Sequence, residues 1–190
     1  MAMTVTKRKD SNLPRVFVHK VADIRGGVSV ATAELNVDFL AEGTPLSAPV
    51  SGVAHVVKFA IVQANATNSA TTIKVYKGHN FKVGDVICAA ENGAAYAITG
   101  IDTSNSAYDS ITVGTTLGVA LTKDVSYIFH AAEAGASGAA LKYAPIALVG
   151  TGKPVIANHN LDTDAWVIGV TKGNNLPALI AGKLKGIINY

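Results

Sequence analysis

The chain has 190 residues, enough for one ordinary domain or two small ones sharing a sheet, and it can bury a core without staples. Only 15% of residues are charged while 49% are hydrophobic, a low-charge balance that points to surface contact with other protein. Its single cysteine, Cys88, excludes an internal disulfide, and the run Val86-Ile-Cys-Ala-Ala reads as a buried inert thiol because no His or basic residue adjoins it.

Charge is placed unevenly. Residues 1–20 hold five Lys or Arg against Asp10, a net of +4, whereas the remaining 170 residues net −1. The basic character therefore belongs to an N-terminal arm, expected to be extended over residues 1–20. A near-neutral body offers no broad basic face to nucleic acid, and the arm has only Phe17 for base stacking. Alone, such an arm reads as a solvated tail; with a partner, Leu13-Pro-Arg-Val-Phe-Val can add as a strand to a sheet edge while its cations pair with acidic groups. The docking residues expected on this basis are Lys7, Arg8, Lys9, Leu13, Arg15, Val16 and Phe17. No apolar stretch follows these charges as in a signal peptide, so a cytoplasmic start is expected.

Past the arm, Arg25-Gly-Gly predicts a turn and Val28 to Val37 a strand of alternating character. Two prolines and two glycines within Glu42 to Val53 predict a turn-rich connection with no central-strand pairing. Val56 to Val62 resumes as an apolar strand. His55 and Lys58 interrupt the apolar run Ala54 to Val62 well short of the ~20 residues of a membrane span, and none is expected.

Ile73 to Leu121 shows the plainest strand pattern. Ile73, Val75, Phe81 and Val83 alternate with Lys74, Lys82 and Asp85, and turns are predicted at Lys77-Gly-His-Asn, Gly84-Asp85 and Asp102-Thr-Ser-Asn-Ser-Ala. A small antiparallel sheet closing on itself accounts for this stretch without a helix. Val125 to Phe129 predicts one more strand, and the small-residue stretch from Glu133 leaves room for a single helical turn. Ile146-Ala-Leu-Val, Gly150 to Val155, Ala165 to Val170, Leu179-Ile-Ala-Gly and Gly186 to Tyr190 predict short strands separated by turns, as in a sandwich or barrel.

The expected fold is all-β: compact antiparallel barrel or sandwich units with short strands, an extended arm and little helix. Residues 21–55 and 140–190 are expected to form an outer β unit, with residues 56–139 inserted as a small barrel-like unit.

Patterns for chemistry fail for definite reasons. In Gly150-Thr-Gly-Lys-Pro, Pro154 stands where a P-loop needs its Mg²⁺-binding hydroxyl, and Ala147 stands where the first glycine belongs. Gly135-Ala-Ser-Gly-Ala lacks the closing glycine of a nucleophile elbow. His19, His55, His79, His130 and His159 are dispersed without ligand spacing, and each reads as a hydrogen-bonded loop or strand residue. Asp102 to Asp109 spaces oxygens like a calcium loop but lacks its glycine and glutamate, which favours a plain Asx-rich turn. Val83-Gly-Asp-Val-Ile echoes lipoyl-type carriers, but Glu91-Asn-Gly-Ala carries no lysine to modify. No enzyme activity, cofactor or metal is expected; Asp102 and Asp109 are the first residues to suspect if a metal binds.

Lys77-Gly-His-Asn-Phe-Lys-Val-Gly-Asp-Val-Ile, Ile101 to Val113, and the terminal segments Ala165 to Val170, Leu179-Ile-Ala-Gly and Ile187-Ile-Asn-Tyr together resemble tailed-phage head decoration and head-fibre proteins, in texture and turn order over about 120 residues. The resemblance implies a structural virion protein of a phage or prophage, made in the host bacterial cytoplasm and carried on the capsid exterior. It implies the major capsid protein and further copies of the chain, as a homotrimer, as partners. A non-catalytic carbohydrate- or cell-surface-binding module is the alternative; it would need an exposed aromatic platform, whereas Trp166 lies in an apolar run suited to a core.

Overall fold

The structure, a computed structural model, describes residues 15–156 and 159–190. It is all-β, with about 43% strand and 2% helix. The chain starts with β1 (Phe17–Asp23), β2 (Val28–Val30), β3 (Phe39–Leu40), β4 (Pro45–Ser47) and β5 (Val53–Ala54). Next come β6 (Phe59–Ile61), β7 (Thr72–Tyr76), β8 (Val86–Cys88), β9 (Ala95–Asp102), β10 (Tyr108–Val113) and β11 (Tyr127–His130). It ends with β12 (Pro145–Val149), β13 (Lys153–Pro154), β14 (Leu161–Thr163), β15 (Ala165–Thr171), the helical turn α1 (Ala178–Ala181) and β16 (Ile187–Asn189).

The six strands β6 to β11 form one antiparallel sheet in the order β6-β11-β8-β9-β10-β7. A bridge between Val62 and Val75 brings β7 back beside the chain leaving β6, so the sheet closes into a small barrel. Closure removes the free edges that an open sheet exposes. The alternation of β7 and β10 sends Ile73, Val75, Ile111 and Val113 inward, where they meet Val62, Phe81, Ile87, Ile98 and Ile128.

The remaining strands build a five-stranded sheet, β1-β15-β12-β4 with β16 parallel to β15, together with the small sheets β14-β2-β5 and β13-β3. Val28, Val30, Leu40, Leu46, Val56, Ala147 and Val149 pack between them. A third cluster joins Val57, Cys88 and Phe129 to Leu148, Ile180 and Leu184, so barrel and outer strands share a core across their seam. Gly27 shows the tightness of the outer unit: it adopts φ +75°, and a Cβ there would stand 2.6 Å from the Thr163 carbonyl oxygen.

Several local expectations change. The strand predicted from Val28 stops at Val30 because Leu35 N–H closes a turn onto the Thr32 carbonyl. The turn-rich connection holds one short strand, at a sheet edge and not in a central position: β4 lies against β12 at the end of its sheet, and Pro45 is tolerated as its first residue. Phe81 lies outside any strand yet is fully buried in the barrel. The helical turn falls at Ala178–Ala181, where a strand was expected, and not after Glu133; Pro177 presets φ at −58° before the first turn and Ile180 is driven into the third cluster.

Candidate functional site

Of the expected docking residues, Lys7, Arg8, Lys9 and Leu13 lie outside the described residues. Arg15 is exposed, whereas Val16 and Phe17 are half-buried and already part of the body. Val16 packs near Gly43, and its carbonyl accepts from Lys172 N–H at 2.9 Å. Phe17 N–H donates to Glu42 Oε1 at 2.9 Å, and its ring lies 6.4 Å from that of Trp166. The extended arm expected through residue 20 is thus corrected at its C-terminal end: residues from Phe17 belong to β1, which pairs antiparallel with β15 at five positions between Phe17 and Asp23.

Among the described residues β1 pairs with β15 only, leaving its other side as a sheet edge. Its register slips between Phe17 and His19 and again between Lys20 and Ala22, which leaves Val18 and Val21 as bulge residues, 57% and 58% exposed. Bulges re-aim side chains outward and hinder indiscriminate strand addition. Lys20 crosses the Phe17 and Trp166 rings at 5.3 and 5.4 Å, donates to the Gly150 carbonyl and faces Asp164 at 3.8 Å. Trp166 is half-buried beside this cluster, not in a core, since Nε1 donates to Asp164 Oδ2 at 2.8 Å. Burial alone would push the Asp164 carboxyl up; the Trp166 and Thr151 hydrogen bonds and Lys20 outweigh it and hold the group below its ordinary value.

A second concentration of polar side chains is buried where the barrel meets the outer strands. Lys58, 2% exposed, donates through Nζ to Asp85 Oδ2 at 2.7 Å. The same oxygen accepts Lys82 N–H at 2.9 Å, and Oδ1 faces His130 Nε2 at 3.4 Å. The Nδ1 atom of His130 is buried without a hydrogen-bond partner among the described residues. Burial holds the His130 imidazole down at about 4, with Asp85 opposing that shift. From the outer unit, Glu34 Oε1 takes a contact from His55 Nδ1 at 3.1 Å and a hydrogen bond from the Tyr143 hydroxyl at 3.2 Å, while the His55 and Tyr143 rings stack at 4.2 Å. Burial, reinforced by Glu34, pushes the Tyr143 phenol up to about 12.

His79 stands nearby, 3.2 Å from Asp109 Oδ2, and accepts Phe81 N–H at Nδ1. That bond fixes the neutral tautomer with its proton on Nε2. Burial holds its pKa low against the pull of Asp109. Asp109 also takes Lys77 at 2.6 Å, whereas Asp102 Oδ1 caps Ser104 N–H in an Asx turn, so the two are engaged separately. Among the described residues no three His, Cys, Asp or Glu side chains gather in a way that could hold a metal ion. Cys88 is fully buried, and burial with Glu91 pushes its thiol up to about 11, away from nucleophilic use.

Sequence reasoning missed the Lys58–Asp85–His130 group. Its one available signal was a lysine in the middle of the apolar run Val56 to Val62, a placement that requires a buried partner. Among the described residues no helix is long and apolar enough to cross a membrane. No protein-family model, curated protein or solved structure matches the chain.

Proposed function

We propose that this chain is a non-catalytic structural protein of a tailed-phage or prophage virion, carried on the capsid exterior. It docks on the major capsid protein through its N-terminal segment and β1, and associates with further copies as a trimer through its β body. The observation that carries this reading is β1 itself. It continues directly from the segment that concentrates the positive charge, occupies a sheet edge and presents exposed Val18 and Val21. A cationic, apolar edge of this kind suits a protein partner with acidic groups beside its own apolar surface.

The carbohydrate-binding alternative has less support, because Lys20 covers the Trp166 ring that would serve as a stacking platform. The test is co-sedimentation with capsids assembled without this protein. Full-length protein should bind with an affinity that falls as salt rises. A chain starting at Arg15 should stay folded and lose most of its occupancy. Undiminished occupancy by that truncated chain would remove the residues before Arg15 from the docking surface, and undiminished occupancy after Val18→Asp and Val21→Asp would remove β1 as well.

A further inference from the structure

We propose that Lys58 and Asp85 condense, without any added enzyme, into an internal isopeptide bond that ties together β6 and β8, the barrel strands on either side of β11. Four features of the geometry support this. The amine and the carboxylate are in contact, with Lys58 Nζ 2.7 Å from Asp85 Oδ2. The Lys58 side chain is 2% exposed, and a charge pair held out of water carries a desolvation cost that a neutral amide does not. Lys82 N–H already donates to Oδ2 at 2.9 Å, where it stabilises negative charge building on that oxygen during attack. His130 Nε2 stands 3.4 Å from the other oxygen, Oδ1, the atom that must leave.

The step balances. One proton first passes from Lys58 Nζ to the carboxylate across their 2.7 Å contact, which frees the nitrogen lone pair and neutralises the carboxyl. Nζ then forms a bond to Asp85 Cγ and the Cγ–Oδ1 bond breaks. Oδ2 remains as the amide carbonyl oxygen, still bonded to Lys82 N–H. The ammonium brings three protons: one stays on the amide nitrogen and two depart with Oδ1 as water. His130 relays protons onto the departing oxygen and ends in its starting state, so no oxidant, reductant or co-reactant is consumed. Holding the two groups in contact supplies the effective concentration that the same condensation lacks in water. The Asp85 side chain, 15% exposed, gives the water a way out.

The bond would have a structural consequence suited to a protein of an exposed particle. Lys58 leads into β6 and Asp85 into β8, the two strands that flank β11. An amide between them would clamp all three. Next to Lys58, Val57 anchors the cluster shared by barrel and outer strands.

Intact-mass spectrometry of the full chain under denaturing conditions tests the proposal. The folded wild-type chain should be lighter than its sequence mass by one water, and proteolysis should release a branched peptide joining the Lys58 and Asp85 segments. Lys58→Ala and Asp85→Ala should restore the full mass, and His130→Gln should slow the loss by about a hundredfold, the scale of general acid–base assistance. Should the variants misfold, the wild-type branched peptide still decides. A folded wild-type chain that keeps its full sequence mass on prolonged incubation, or a water loss that maps to another site, would overturn the proposal and leave an ordinary buried ion pair.

Discussion

The amide of Phe17 donates to the Glu42 carboxylate at 2.9 Å, fastening the start of β1 to a loop 25 residues further along the chain. A chain beginning at Arg15 keeps this bond; one beginning at His19 loses it together with the Phe17–Trp166 contact. The first deletion should leave the thermal midpoint nearly unchanged, and the second should lower it clearly. Glu42→Ala should cost about 1–3 kcal/mol in urea unfolding, the range for stranding a partly buried donor that had a charged acceptor.

Ile111 sits at the centre of the barrel, opposite Ile73 on β7 and Ile101 on β9, and is fully buried. Ile111→Ala should destabilise the fold by about 2–5 kcal/mol and Phe81→Ala by about 3–5 kcal/mol, through lost burial and the cavity left behind. Equilibrium denaturation measures both. Val83→Ala is the contrasting control: Val83 is 62% exposed, and the change should be close to neutral.

Acid should loosen the seam in a defined window. His130 titrates near 6.5 when unfolded and is held at about 4 in the fold, chiefly by burial. The unfolded chain therefore binds more protons between these values. This contribution to stability is fully present above about 6.5 and declines as pH falls through that window. The lowered His79 adds in the same direction. Denaturant midpoints measured across the window should fall with pH, and His130→Gln should flatten the slope while lowering stability at neutral pH.

Self-association should be visible in solution. Exposed Ile168 on β15 and Ile188 on β16 lie on adjacent strands of the outer sheet, 45% and 66% accessible. Light scattering at micromolar concentration should give three times the 19.5 kDa chain mass, and Ile188→Asp should shift the distribution toward monomer. A wild-type species at the single-chain mass would count against the trimer.

The all-β class was legible because period-two alternation is local: Ile73 and Val75, or Ile111 and Val113, mark the buried face of a strand whatever it pairs with. Turns at Gly26-Gly27 and Lys77-Gly78 were legible for the same reason, since positive φ at Gly27 and Gly78 is a property of one residue. Pairing across distance was not. The Val62–Val75 bridge that closes the barrel, the incorporation of Phe17 into a sheet with β15, and the meeting of Lys58 with Asp85 27 residues away all depend on which strands become neighbours. The sequence by itself determined the alternating strands β7 and β10, the glycine turns and the concentration of charge in its first residues. Tertiary structure decided which polar groups are buried together, because Lys58, Asp85 and His130 meet only once β6, β11 and β8 are neighbours in the barrel sheet, an arrangement set by apolar contacts between residues far apart in the chain.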